Sequence, residues 1–285
     1  MKASAFSYAR ATSVGNALEL LAAHGDGAKV LSGGQSLMPA MNLRLISPEL
    51  LIDIGDLGEL RGIDLAGGVL RIGALTRHVE LLNSAEIAAH APLLSEAIAH
   101  VAHPAIRNKG TLGGSLAHAD PAAEMPGIVV TCEAEIAVIG KAGARVIAAR
   151  DFFHSPLMTA LKADEIITEV RFPPWPLGRR FGFCEFARRR GDFALAAAAL
   201  FYDRDGKGRA QNAHVGAIGV ADMPLRLSAV ENVLNGQKID QTTIAKAEAA
   251  ASAAVDPADD IHATGAYRKT LIGVMVERAL RESLA

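Results

Sequence analysis

Lys29-Val30-Leu31-Ser32-Gly33-Gly34-Gln35-Ser36-Leu37 is the stretch from which the rest of the chain is best read. A short apolar run, Lys29 to Leu31, ends in two glycines flanked by small hydroxyl residues. Glycine permits positive φ and close backbone approach, so successive amide hydrogens can converge on phosphate oxygens as an anion nest. Ser32 and Ser36 add hydroxyl donors, and Lys29 at the entrance can offset phosphate charge. Alone, a Gly-Gly pair reads as an ordinary turn and a strand-end lysine as a solvated one. Proline at 39 argues against a helix leaving the loop directly, so an anion here is expected to be held by backbone amides rather than a helix dipole.

A second stretch, Ile106-Arg107-Asn108-Lys109-Gly110-Thr111-Leu112-Gly113-Gly114-Ser115, repeats the same logic after a helix. Two nests suit the two phosphates of a dinucleotide. The sequence contains no G-x-G-x-x-G opening a long helix and no G-x-x-x-x-G-K-[ST], so Rossmann and Walker chemistry are disfavoured.

Around these loops the pattern resolves into two units. Ser13 can cap a helix carrying Ala17, Leu18, Leu20 and Leu21, and the strand 29–31 and a second strand, Leu50 to Ile54, complete a small βαβ-like unit. Leu60 to Leu65 and Val69 to Gly73 read as a hairpin joined by Ala66-Gly67-Gly68. Helices follow: Thr76 can cap one, Pro92 suits the first turn of another, and Asp120-Pro121 can open a third. Strands over Glu135 to Ile139, Arg145 to Ala149 and Glu165 to Phe172 complete this unit. Pro173-Pro174-Trp175-Pro176 cannot continue a helix or central strand, so the boundary is placed there. The remainder is expected to fold separately, as an antiparallel sheet of Phe181 to Ala187, Ala194 to Tyr202 and Gln211 to Ile218, followed by three helices ending in Tyr267 to Leu284.

The chain has 285 residues, and its 29 basic residues nearly cancel 31 acidic ones, so nothing points to nucleic acid. No apolar run approaches the roughly 18 residues of a membrane span, and Met1 to Arg10 lacks the apolar core of a signal peptide, so a cytoplasmic protein without a transmembrane segment is expected. The two cysteines, Cys132 and Cys184, cannot supply the four thiolates of an ordinary iron–sulfur cluster. Any such cluster must sit on another chain. His103 and His118 flank the second loop without companion ligands at metal-binding spacing, and no metal site is expected.

With its two glycine loops and the run Asp120-Pro121-Ala122-Ala123-Glu124-Met125-Pro126, the chain resembles the flavoprotein or medium subunit of the molybdenum hydroxylases. That group includes aerobic carbon monoxide dehydrogenase and the xanthine dehydrogenase relatives. The resemblance covers nearly the whole length, and Gly191-Asp192-Phe193-Ala194 and Tyr267-Arg268 support it. It implies an α+β fold: a two-subdomain FAD-binding fold of the vanillyl-alcohol oxidase (PCMH) type over 1–175, with subdomains of about 1–57 and 58–175. A flavoprotein C-terminal domain with a three-stranded antiparallel sheet and helices follows over 176–285.

The resemblance further implies non-covalent FAD lying between the domains. Lys29, Leu31, Ser32, Gly33, Gly34, Gln35, Ser36 and Leu37 match one pyrophosphate loop, and Thr111, Gly113, Gly114 and Ser115 match the other. Gln35, Leu112 and Ser115 stand where histidine, isoleucine and asparagine are common in relatives. Glu124 matches an acidic position near the cofactor, and Asp120, four residues earlier, is expected on the same helix face; a capping Asp and a solvated Glu is the ordinary reading. Phe193 matches an aromatic position against the flavin ring, although a phenylalanine on a core strand would look the same. Leu195 replaces the lysine of the xanthine dehydrogenase relatives, which argues against NAD use in that style.

The function these features imply is electron transfer: FAD receives electrons from two-iron two-sulfur clusters of a small partner subunit and passes them to an external acceptor. A large partner subunit would hold the molybdenum cofactor, in a dimer of heterotrimers. Arg188-Arg189-Arg190, ordinarily a hydrated face, would then help dock a partner. Two other readings stay open at this level. A free-standing flavin oxidoreductase would be active as an isolated chain, and a non-catalytic nucleotide-binding assembly subunit would hold no flavin.

Overall fold

A computed structural model describes residues 2–285. The first strand is one that the sequence pattern hides: β1 (Ser7–Arg10) is short, polar and mostly exposed. Helix α1 (Val14–His24) begins where expected, with the Ser13 hydroxyl accepting from the Asn16 amide. Strand β2 (Ala28–Leu31), helix α2 (Leu37–Asn42) and strand β3 (Leu50–Asp53) complete a parallel sheet of order β1-β3-β2. Helix α2 corrects the expectation drawn from Pro39. Proline occupies the third helical position, inside the first turn, where a missing N–H removes little because those amides have no intrahelical partner.

The middle unit starts with the hairpin β4 (Ile63–Ala66) and β5 (Val69–Gly73). Six short helices follow: α3 (His78–Leu82), α4 (Ala85–His90), α5 (Pro92–Ile98), α6 (Pro104–Arg107), α7 (Leu112–His118) and α8 (Glu124–Thr131). Thr76 does not cap α3. Its hydroxyl bonds to Gly62, and the cap is Arg77, whose amide donates to Glu80 at 2.6 Å. Strands β6 (Glu135–Gly140), β7 (Gly143–Ala148), the minor hairpin β8 (Phe153–Ser155) with β9 (Met158–Thr159), and β10 (Ile166–Phe172) follow. The sheet has the order β4-β5-β10-β6-β7, antiparallel throughout.

The C-terminal sheet comprises β11 (Arg180–Phe186), β12 (Ala196–Arg204), β13 (Ala210–Ile218) and a two-residue edge strand β14 (Leu225–Arg226), in that spatial order and antiparallel. Four strands thus stand where three were expected, because a two-residue edge strand leaves no alternation to read. Helices α9 (Ser228–Leu234), α10 (Gln241–Ala253) and α11 (Gly265–Glu282) cover one face.

Strand β12 is buried on both faces, as its run Ala196-Ala197-Ala198-Ala199-Leu200-Phe201-Tyr202 dictates. Ala196, Ala198, Leu200 and Tyr202 pack with α9 to α11, while Ala197, Ala199 and Phe201 join the core of the middle unit with Phe183 and Ile218. The C-terminal unit therefore does not stand apart: one continuous apolar core crosses the proline-rich boundary. Trp175 belongs to that crossing, packed edge-on against Phe181 and Phe201 at centroid distances of 5.9 and 5.2 Å.

Candidate functional site

Both glycine loops leave the ends of their elements toward the same point. The Ser32 and Thr111 hydroxyls lie 3.1 Å apart although 79 residues separate them in sequence. Gly33 sits so close to the second loop that a Cβ there would stand 2.2 Å from the Lys109 carbonyl oxygen, and Gly34 adopts φ +70°. Any side chain at 33 would wedge the loops apart, and an L-residue at 34 would be strained. Gly114 closes the contact from the other side: a Cβ there would meet the Ser32 hydroxyl at 2.8 Å.

The loops differ in how they present donors. Among the described residues, none accepts from the backbone amides of Gly33, Gly34, Gln35, Ser36 and Leu37, while the Gln35 side chain folds back to donate to Gly33 O at 2.8 Å. Leu37 is the first residue of α2, so these amides run directly into a helix N-terminus. In the second stretch the glycines are not a free loop. Thr111 caps α7, accepting from the Gly114 amide at 3.1 Å, and Gly113 and Gly114 lie in the first turn, so a helix dipole also points at the junction. Adjacent unpaired amides, hydroxyls and two helix starts fit a pyrophosphate. Lys29 is exposed on β2, Leu31 is half-buried against the turn, and Ser115 follows the two glycines on α7.

Asp120, Glu124 and Phe193 form a second group past the C-terminal end of α7. Asp120 and Glu124 do not share a helix face, contrary to expectation. Asp120 accepts from the Ala122 amide at 2.9 Å and holds a turn, and α8 starts only at Glu124. An Asp-Pro-x-x sequence supports either a helix start or this Asx turn, and the turn wins here. Phe193 is 58% exposed, in a loop rather than on a core strand. Its segment is tied to the group through Ala194 N donating to Ala122 O at 3.3 Å, and Gly191 packs against Ala102 and His103.

Glu124 is 5% exposed. Burial first, then the carboxyls of Glu185 and Asp120, push its pKa up to about 8. The folded state thus holds this proton more tightly than the unfolded chain does. The resulting stabilisation is complete below about 4.5 and is lost as pH rises through about 8. His78 acts oppositely, because burial pushes it down to about 4, but only below about 6.5. Thermal unfolding followed above that range should show a Tm that falls toward about pH 8, with a flatter profile in Glu124→Gln. Equal slopes in the two proteins would contradict the assignment.

Three supporting residues were invisible or mute in the sequence. Arg107 donates to Val101 O and Ala102 O at 2.7 and 2.9 Å and braces the turn before the second loop. His78 is buried behind Gly110, and neither ring nitrogen has a hydrogen-bond partner among the described residues, a placement only three dimensions reveal. Arg268, seen earlier only as part of a motif, is buried and donates to Leu195 O and Gly219 O, each at 2.7 Å, and to Asp260. It thereby locks the base of the Phe193 loop. Arg188, Arg189 and Arg190 are exposed. Among the described residues there is no helix long and apolar enough to cross a membrane and no cluster of side chains suited to a metal ion.

Comparison with known proteins shows the family of the chain. Residues 4–175 match the FAD binding domain in molybdopterin dehydrogenase, and residues 181–283 match the CO dehydrogenase flavoprotein C-terminal domain. The 6-hydroxypseudooxynicotine dehydrogenase complex subunit alpha of Paenarthrobacter nicotinovorans is 40% identical, with 100% of this chain and 96% of that protein covered. The carbon monoxide dehydrogenase medium chain of Afipia carboxidovorans is 37% identical, over 98% of this chain and 97% of the relative. A solved carbon monoxide dehydrogenase from Hydrogenophaga pseudoflava superposes with a TM-score of 0.96 at 37% identity, covering 100% of this chain and 99% of that one. The chain therefore belongs to the FAD-binding medium subunits of the molybdenum hydroxylases, and is a subunit of an FAD-dependent oxidoreductase.

Proposed function

We propose that this subunit relays electrons: FAD takes them from two-iron two-sulfur clusters on a small partner subunit and gives them to an external acceptor. The molybdenum cofactor, and the substrate pocket with it, belongs to a large partner subunit. The observation that carries this reading is the convergence of two glycine loops in a chain with two free, well-separated cysteines. The chain can cradle a dinucleotide but cannot hold a four-thiolate cluster. Redox chemistry is the flavin's when it is bound, and the protein supplies position and electrostatics.

In this reading residues 1–175 form the FAD-binding domain, and 176–285 contribute Phe193 at the flavin side. Residues 29 and 31 to 37, with Thr111, Gly113, Gly114 and Ser115, hold the pyrophosphate, and Asp120 and Glu124 shape the wall beyond α7. The exposed Arg188 to Arg190 run, next to Phe193 in sequence, is the candidate partner-docking face. By likeness to the family, the complex is a cytoplasmic dimer of heterotrimers.

Because Phe193 is exposed, Phe193→Ala should change folding stability by no more than about 0.5 kcal/mol. Loss of an aromatic contact worth about 1 kcal/mol should still weaken FAD retention severalfold. Flavin content after dialysis, set beside a thermal melt, measures both. Purification at native expression levels tests the wider reading, with associated chains identified and metals quantified. Two co-purifying chains carrying molybdenum and iron are expected. A flavin-containing chain that isolates alone and oxidises an organic substrate unaided would overturn the relay role.

A further inference from the structure

Strand β11 lies at the edge of the C-terminal sheet, with Phe183 and Glu185 on its inner face. Phe183 joins the core shared with the middle unit, and the Glu185 side chain, only 4% exposed, follows it inward. One Glu185 oxygen lies 3.7 Å from Nδ1 of His100, while the other, Oε2, has no donor among the described residues. Glu124 enters from the start of α8, and the Glu185 carboxyl beside it raises its hold on a proton. Two ionised carboxylates so placed, away from water, would repel each other and leave an acceptor without a donor. One shared proton removes both penalties.

Each end of this group leads somewhere. Inward, Glu124 lies two residues from Ala122, whose carbonyl holds the backbone beside the exposed Phe193, with Asp120 at the same turn. Outward, the His100 side chain is 41% exposed and stacks edge-on against Phe183 at 5.0 Å. Glu96 on α5 and Glu282 with Arg278 on α11 face this end, and Glu96 and Glu282 line a cavity of about 360 Å³ open to solvent.

Given the reading of the chain as an FAD-binding subunit, we propose that His100, Glu185 and Glu124 form a proton path from the surface to the flavin side of the domain interface. Reduction of FAD by two electrons, delivered by one-electron iron–sulfur carriers of a partner chain, consumes two protons and gives FADH2. The path supplies protons alone. His100 takes a proton from water at the Glu96 and Glu282 cavity and passes it from Nδ1 to Glu185. Glu185 hands it to the position shared with Glu124, and Glu124 releases a proton inward. Each donor is refilled from its outer neighbour, so the water outside loses one proton for each proton delivered. None of the three residues is required to touch the flavin for Glu185 and His100 to act, and both are positioning residues in this scheme.

The test uses the full chain reconstituted with FAD, reduced anaerobically by light with a photosensitiser and a sacrificial electron donor, while a pH-indicator dye follows proton uptake against a flavin-free blank. Glu185→Gln and His100→Ala should keep wild-type flavin content yet slow uptake by about tenfold or more. Added imidazole should restore the rate in His100→Ala, whose side chain reaches solvent, but not in Glu185→Gln, a pattern that a merely structural role would not produce. Infrared spectroscopy of the FAD-free chain near neutral pH should show the carbonyl stretch of a protonated carboxylic acid, absent from Glu124→Gln. Wild-type uptake rates in flavin-loaded Glu185→Gln or His100→Ala, or no protonated carboxyl in the FAD-free chain, would overturn the path alone. A folded wild-type chain that binds no FAD would instead overturn the functional reading, and the flavin end of the path with it.

Discussion

Gly33→Ala should weaken FAD binding by about 10- to 100-fold, the equivalent of about 1–3 kcal/mol of overpacking. The reason is geometric. The added methyl would stand 2.2 Å from Lys109 O and 2.9 Å from the Gly110 Cα, both backbone atoms that cannot swing away as a side chain could. The two loops must separate, and the Ser32 to Thr111 contact that aligns them at 3.1 Å is the first to break. Folding should survive, because Gly33 belongs to none of the three apolar cores. Equilibrium titration with FAD, beside circular dichroism of the unliganded chain, separates these effects. Wild-type affinity in Gly33→Ala would remove the first loop from the pyrophosphate site. A valine at the same position should do more damage than alanine, since the second and third methyl-sized groups meet the same backbone.

Arg268→Ala should destabilise the protein by about 3 kcal/mol, since two buried carbonyls and a carboxylate lose a charged donor at once. For a chain of this size that corresponds to a fall in Tm of about 6–12 °C. The carbonyls belong to Leu195, two residues past Phe193, and to Gly219, whose backbone packs against Ala194 and Leu195, so flavin retention should drop with stability. Lysine should recover only part of the loss, because an ammonium on a flexible stem does not reproduce the planar fork that reaches Leu195, Gly219 and Asp260 together. Differential scanning calorimetry of the three proteins checks the ranking. An unchanged Tm in Arg268→Ala would show that water replaces the guanidinium freely, against its 6% exposure.

What was legible in the sequence follows the kind of signal each residue gives. The two converging glycine loops were readable as candidate sites because glycine and small hydroxyl residues act through the backbone, and their signal is local. The strands of the middle and C-terminal sheets were readable from apolar runs and turns such as Ala66-Gly67-Gly68, which joins the antiparallel pair β4 and β5. Misreadings cluster at helix starts. Pro39 and the pair Gly113-Gly114 look like breakers, yet the first turn of a helix tolerates both, because its amides need no intrahelical acceptor. Strands β1 and β14 escaped because exposed or two-residue strands carry no hydrophobic period.

The longest-range features were the least visible. Glu185 reads as one more charged residue on an edge strand until β11 is laid against α5, beside His100. Arg268 matches a motif, but nothing local says that its partners are the Leu195 and Gly219 carbonyls, 73 and 49 residues away. Continuity of the core across Pro173 to Pro176 is a similar case: the proline run reads correctly as a break in regular structure, but the face of β12 that crosses it is a matter of packing.

The measurement that bears most directly on the account is an FAD titration of the purified chain, followed by flavin fluorescence and by absorption after removal of free ligand. The two converging loops form one site, so the expected result is saturation at one FAD per chain, with affinity lost in Gly33→Ala and retained when a residue remote from the loops is changed. A folded chain that stays colourless after reconstitution, or one whose flavin binding is indifferent to Gly33→Ala, would contradict it.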